Sequence, residues 1–237
     1  AKLSVSSPTI GADLILYNLV ILLAIISLFQ APLQNDPLAV AFLSLAIASW
    51  GIGSVTSSLT QFFNFVGPTQ LVSDIAYSLF YPFAFIAIPR AIEKGKKLKL
   101  IELLDAAIFG LGLCSIIAAL VLATFLQDSG IGTFFSVLYT VCDIALVVIV
   151  LASAVISELT VRLILLITGV LTFAITDFYF LFSEINGDYQ FGQFSDLGWA
   201  IGIVFITISF WYQPSSNHRD AKIHPALIAV SIFISPA

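Results

Sequence analysis

Charged side chains are scarce in this chain, since only 10% of its 237 residues are Asp, Glu, Lys or Arg. An ordinary soluble domain is about 25% charged. Hydrophobic residues make up 59% of the sequence, and its mean hydropathy is +1.07. This composition excludes a soluble globular protein and indicates an integral membrane protein. The formal net charge of -5 gives no support for nucleic-acid binding.

Side chains that hold cofactors or carry catalysis are also missing. The apolar stretches contain no Lys, which excludes the retinal Schiff base of a seven-helix photoreceptor. His218 and His224 both lie near the C-terminal end, which excludes a paired-histidine haem site inside a bundle. Cys114 and Cys142 fall inside apolar stretches, where Cys usually behaves as a small hydrophobe. Without a protease, hydrolase or P-loop motif, we expect no enzyme and no cofactor.

What the chain does contain is seven apolar stretches, each long enough for the roughly 20 residues that cross a bilayer. They cover residues 13–32, 38–62, 72–91, 103–126, 133–155, 161–183 and 195–213. The first lacks the basic flank and the cleavage site of a signal peptide, so we expect a retained helix. We predict an all-α, multi-pass cell-membrane protein with a seven-helix transmembrane bundle at 1–213. The cytoplasmic tail at 214–237 has an apolar segment of about ten residues, too short to span.

Basic residues predict the orientation of this bundle. Five of the nine lie in the loop at 90–101, and most others follow the fifth and seventh stretches. If that loop is cytoplasmic, only Lys2 lies outside, as the positive-inside rule favours. We predict an outer N-terminus and an inner C-terminus, with the lipid bilayer and a protein partner as the binding partners. That partner would lie at the cytoplasmic side or within the membrane.

Four aspartates are the candidate functional residues: Asp74, Asp143, Asp177 and Asp196. Ionisable groups inside a membrane are costly and are functional candidates by default. With the predicted orientation they lie in the outer half or near the midplane, where the apolar stretches carry no basic residue. A buried carboxylate without a counter-charge takes up a proton, a cation or several hydrogen-bond donors.

Tyrosines are the nearest donors by sequence. Helical spacing puts Tyr77 and Tyr81 on the face of Asp74, and Tyr139 on the face of Asp143. Tyr179 lies close to Asp177 in the sequence. We therefore predict an outward-facing Asp/Tyr site for a proton, a metal cation or a small polar ligand.

A structural role for these acids stays open. Asp196 follows Ser195 at the start of the seventh stretch, where an acid suits the helix N-cap and dipole. Asp105 has the same position in the fourth stretch. The remaining acids would then be hydrogen-bonding groups between helices.

Several motifs, in order along the chain, resemble a known family. They are "SDIAYSLFYP" (73–82), "LLDAAIFGLG" (103–112), "YTVCD" (139–143), then "TDFYF", "GDYQFG" and "DLGW", and finally "HP" at 224–225. The set, which covers roughly 70–225, resembles the seven-helix N-terminal membrane input regions of bacterial cyclic-dinucleotide signalling proteins. Those regions precede PAS, GGDEF and EAL domains, and related regions precede some sensor histidine kinases.

The resemblance implies that the last two helices share one signature, joined by a short loop of Gly and Tyr residues at the outer surface. Its residues here are Asp177, Tyr179, Gly187, Tyr189, Gly192, Asp196 and Trp199. The resemblance thereby adds Trp199 to the candidate site. The chain departs from the family at Thr140, where the family has Pro, and in lacking an output domain. Either trimming or action through a separate partner would explain that lack.

Three functions fit these observations. The first is a non-catalytic sensory or regulatory module that binds an ion or small ligand at the Asp/Tyr site and signals to the cytoplasmic side. The second is an accessory subunit of a larger membrane complex, whose acids are contacts between helices. The third is a small cation transporter or channel, which is less favoured because no pair of broken helices or inverted repeat is evident.

Overall fold

The computed structural model describes residues 8–32, 36–63, 68–92, 131–156 and 159–212. The prediction of an all-α protein is confirmed for these ranges, which contain helices and no strand. The helices are α1 (Tyr17–Gln30), α2 (Pro37–Phe63), α3 (Thr69–Ile92), α4 (Ile131–Ile156), α5 (Val161–Ile185) and α6 (Leu197–Ser209). A π-helical segment, Ile10–Leu16, leads directly into α1, and a 3-10 helix, Phe194–Asp196, precedes α6.

Five helical segments within the described ranges are long and apolar enough to cross a membrane. They are Ile10–Gln30, Pro37–Phe63, Thr69–Ile92, Phe135–Ala154 and Val161–Ile185. The predicted transmembrane helical character is therefore confirmed. α6, which belongs to the seventh predicted stretch, has 13 residues and is shorter than a full span. The predicted stretch at 103–126, Asp105 and the tail at 214–237 lie outside the described residues.

One end of the bundle collects acidic side chains and the connection between α5 and α6. The rings of Phe62 in α2 and Phe191 in that connection are 5.9 Å apart. At the same end, Ser136 near the start of α4 is hydrogen-bonded to Glu184 near the end of α5. We call this the acidic end, after Asp13, Asp74, Glu184, Asp188 and Asp196.

The opposite end holds Arg90 and Arg162, the basic residues of the described ranges, and we call it the basic end. Arg90 Nη2 lies 2.8 Å from Asp36 Oδ2. Arg162 is the second residue of α5, is 1% exposed, and donates from Nη1 to the Tyr212 carbonyl at 2.9 Å. Its guanidinium carbon also lies 4.8 Å from the centre of the Phe210 ring. Arg162 is the basic residue that follows the fifth predicted stretch, and it is buried and binds the turn that follows α6.

Small residues let α5 and α6 approach closely. A Cβ added to Gly202 of α6 would lie 2.9 Å from the carbonyl oxygen of Gly169 in α5. No side chain fits at that distance, so the two backbones touch, as small residues allow between membrane helices. This contact holds the next turns of α5 against the first turns of α6, and those turns carry Asp177 and Trp199.

An aromatic layer fills the space between α2 and its neighbours. Trp50 of α2 is 4% exposed, and its ring lies 4.5 Å from Tyr77, 4.7 Å from Phe173 and 5.8 Å from Trp199, centre to centre. Aromatic pairs at these separations add to the stability from burial. The layer fixes the ring of Trp199, whose indole N–H is needed in the site described next.

Candidate functional site

Asp177 is the centre of the candidate site. Its Oδ2 accepts a hydrogen bond from the Tyr81 hydroxyl at 2.8 Å, and its Oδ1 accepts one from Trp199 Nε1 at 2.7 Å. The Asp177 side chain is 2% exposed. One buried carboxyl group on α5 is therefore bonded to α3 through Tyr81 and to α6 through Trp199.

Asp143 of α4 completes the site. It is 2% exposed, and its carboxyl group lies within hydrogen-bonding range of that of Asp177. Its Oδ2 receives no hydrogen bond from the part of the chain that the structure describes. Two of the four candidate aspartates thus meet as a pair, which we call the carboxyl pair (Asp143 and Asp177).

The predicted tyrosines gather beside this pair. The rings of Tyr81 and Tyr139 are stacked with their centres 6.1 Å apart, and those of Tyr77 and Tyr139 lie 6.3 Å apart. The Tyr139 hydroxyl donates to the Asp74 carbonyl oxygen at 3.0 Å. The Asp74 carboxylate instead accepts from Gln70 Nε2 at 3.1 Å, on its own helix. Asp74 is therefore a neighbour of the site through its backbone.

Tyr179, which was expected in the site, lies on another face of α5. Its side chain is 48% exposed, whereas Asp177 is buried. Two residues along a helix correspond to a rotation of about 200°, so a residue two positions from a buried one points outward. Trp199, which entered the site through the family resemblance, does bind Asp177.

Asp196 forms a separate arrangement at the acidic end. Its Oδ2 accepts from the Gly192 backbone N–H at 2.9 Å and from the Tyr189 hydroxyl at 3.3 Å. It makes no side-chain cap hydrogen bond to α6, so the N-cap hypothesis is wrong in that respect. The backbone of Asp196 has helical φ and ψ, whereas an N-cap residue usually has extended values. Its carboxylate therefore turns back and closes the connection between α5 and α6.

Left-handed glycines and burial shape this connection, which lies outside the five candidate spans. Gly187 and Gly192 have φ of 68° and 80°, a region that glycine adopts without steric cost. Burial raises the pKa of the Asp196 carboxyl to about 6, although the hydrogen bonds from Gly192 and Tyr189 oppose this effect. Burial also raises the pKa of the Tyr189 hydroxyl.

Sequence reasoning did not identify Trp50 or the buried position of Arg162. A Trp within an apolar stretch carries no periodic signal that separates a core position from a lipid-facing one. Arg162 lies beside a predicted helix boundary, where a solvated side chain is the ordinary expectation. Both roles depend on which helices are neighbours, and a single sequence does not contain that information.

The carboxyl pair has a simple electrostatic consequence. Two negative charges in contact inside an apolar bundle repel each other strongly, because apolar surroundings screen them little. Arg90 and Arg162 are the Lys or Arg residues of the described ranges, and both lie at the basic end, away from the carboxyl pair. The pair can therefore hold a proton or a cation. No group of three or more His, Cys, Asp or Glu suited to a metal ion occurs within the described ranges.

Comparisons with known proteins identify no relative. No family model matches the chain, and neither the curated proteins nor the solved structures include a match.

Proposed function

We propose that this chain is a non-catalytic sensory or regulatory module of the cell membrane, with the carboxyl pair as its ligand site. One observation carries the proposal: the buried Asp177 carboxyl accepts hydrogen bonds from α3 and α6 and contacts Asp143 of α4. A ligand that changes the charge of this pair changes contacts among four helices at once. A purely structural hydrogen bond between two helices needs no second carboxyl group.

The route to the cytoplasmic side runs along α6. Trp199 binds the site near one end of this helix, and the Tyr212 carbonyl after the other end is held by Arg162. Tyr212 lies 13 positions after Trp199, which corresponds to about 20 Å at helical rise. A ligand shifts such an equilibrium only by binding one packing more tightly than the other. We therefore expect ligand binding to move α6 against the first turn of α5.

The proposal includes seven membrane crossings with the acidic end outside. In support, Arg90 and Arg162 share one end, as the positive-inside rule favours for the cytoplasmic side. The residues at 103–126 would supply another crossing, and α6 would cross together with the turn at 210–212. The resemblance to input regions of cyclic-dinucleotide signalling proteins belongs to this proposal, with the output domain or a partner following the basic end.

Distances between spin labels at the basic end test the proposal. Ile208 of α6 and Ile164 of α5 are 39% and 50% exposed, so Ile208→Cys and Ile164→Cys accept labels with little effect on packing. The labelled chain, with Cys114 and Cys142 replaced by Ala, is placed in lipid nanodiscs. Pulsed electron paramagnetic resonance then measures the distance between the two labels in buffers that differ only in pH or in the concentration of Na⁺, K⁺ or Mg²⁺.

The expected result is a distance change with at least one of these probes. It should disappear in both Asp143→Asn and Asp177→Asn, and it should persist in the control Asp188→Asn, which removes an exposed acid at the acidic end. An unchanged distance under every probe would contradict signalling. The acids would then be contacts between helices, as the accessory-subunit hypothesis expects.

A further inference from the structure

The proposed function leaves the ligand open between a proton and a cation, and the hydrogen bonds of the carboxyl pair distinguish the two. The oxygens of Asp177 already accept from Tyr81 and Trp199. Two donors on one carboxyl group favour its negatively charged form. Asp177 is therefore the member of the pair that is built to stay charged.

Asp143 has the opposite surroundings. Its Oδ2 has no donor among the described residues, and its nearest charged neighbour is the Asp177 carboxylate. The other titratable groups that face it are Tyr81 of α3, whose single O–H is donated to Asp177, and Cys142 of its own helix. None of these neighbours brings a positive charge. A neutral carboxylic acid here has one O–H donor, and the Asp177 carboxylate is an acceptor within range.

A metal cation fits this arrangement poorly. Hard cations such as Ca²⁺ take about six to eight oxygen ligands. Both oxygens of Asp177 already accept a hydrogen bond, and the buried Asp143 Oδ2 accepts none from the described residues. Trp199 turns an indole N–H toward Asp177, which cannot coordinate a cation, and the Tyr81 hydroxyl directs its proton at the same carboxyl group.

Resting on the proposed function, we infer that the ligand of this site is a proton, which Asp143 binds and shares in a hydrogen bond with the Asp177 carboxylate. When the proton leaves, both carboxyl groups are charged and in contact. Their repulsion is relieved only if α4 separates from α5 or if water enters. Proton release would thus be the event that changes helix packing.

Infrared spectroscopy of the protein in nanodiscs tests this inference directly. A protonated carboxyl group has a C=O stretching band that is separate from those of carboxylates and that shifts in heavy water. We record it in an Asp196→Asn background, because the Asp196 carboxyl has a pKa of about 6 and would give a band of its own. We expect the band at pH values where exposed carboxyl groups are ionised, with a decline as the pH rises further. Asp143→Asn should remove it, and the control Asp188→Asn should keep it. In Asp177→Asn it should shift, because the acceptor becomes an amide.

Isotope labelling covers the case in which Asp143→Asn does not fold. Aspartate labelled with ¹³C in the Asp196→Asn protein should shift the band, which identifies an aspartic acid without any substitution in the carboxyl pair. The inference is overturned if the band is absent, if it survives Asp143→Asn, or if it does not decline as the pH rises.

The two proposals fail in different ways. If the band declines with pH while the spin-label distance stays constant, Asp143 binds a proton but the signalling proposal is wrong. If the band is absent and the distance changes with Na⁺, K⁺ or Mg²⁺, the proton is not the ligand and the chain is a cation-sensing module.

Discussion

Asp177 and Asp196 lie 19 residues apart, and Asp177 accepts hydrogen bonds from two donors whereas Asp196 accepts them from three. The donors to Asp196 lie within seven residues of it. Those to Asp177 are 96 and 22 residues away, on other helices. A carboxylate with local donors fixes a loop, whereas one with distant donors fixes the relative position of helices. Only the second can report a ligand to the rest of the bundle.

The strongest test of this difference compares Asp177→Ala with Asp196→Ala. The first leaves the Tyr81 hydroxyl and the Trp199 N–H without their acceptor in the core, so we expect a loss of about 2 to 4 kcal/mol in the free energy of unfolding. The second should cost about 1 kcal/mol, because the released groups reach water more easily. Denaturant titration in mixed micelles measures both. Equal losses would remove the distinction.

Removing the two donors to Asp177 is expected to have a smaller effect. Tyr81→Phe and Trp199→Phe should each cost about 1 to 2 kcal/mol, because one hydrogen bond to the carboxylate is lost in each. Since both donors share Asp177, the double variant should depart from the sum of the single variants. The same titration measures the cycle. Strict additivity would show that the two bonds do not act through one carboxyl group.

The connection that carries Asp196 should respond to pH. Its folded-state pKa of about 6 is above the ordinary value of 3.8, so the folded state favours the protonated carboxyl. The resulting stabilisation is fully present below about pH 4 and is lost as the pH rises through about 6. Because Asp196 is partly exposed, we expect at most about 1 kcal/mol. Melting temperatures of the wild-type protein and Asp196→Asn measure the effect, and the difference between them should change only in this window.

The two left-handed glycines of the connection offer a still smaller contrast. Gly187→Ala and Gly192→Ala should each cost about 1 kcal/mol for the left-handed backbone. A Cβ at Gly192 would lie 3.0 Å from Pro8 Cβ and 3.1 Å from Asp13 Cγ, whereas one at Gly187 meets nothing within 4 Å. We expect Gly192→Ala to be worse by about 0.5 kcal/mol. The rate of limited proteolysis within the connection measures the difference. Equal rates in the two variants would show that the contact of Gly192 with the N-terminal segment does not stabilise the connection.

The sequence predicted helices well and their contacts poorly. The predicted stretch at 38–62 corresponds to Pro37–Phe63, and that at 161–183 to Val161–Ile185. These limits follow because long apolar runs end at turn-forming or polar residues. The pairing of Asp143 with Asp177 depends on which helices are neighbours, and helical periodicity describes only the faces of a single helix. Tyr179 was predicted in the site but points away from it, because it lies on a different face of α5 from Asp177. Asp196 was considered as an N-cap, but its helical backbone conformation turns its carboxylate away from the start of α6.

Backbone hydrogen exchange at the basic end tests the central claim most directly. At one fixed pH, amide exchange over 207–212 and at 161–163 is compared among the wild-type protein, Asp143→Asn, Asp177→Asn and Asp196→Asn. If the carboxyl pair controls helix packing, the first two variants should change exchange there, about 20 Å from the site, and Asp196→Asn should not. Changes confined to the neighbourhood of each substituted residue would contradict the claim and leave Asp177 as a local contact between helices.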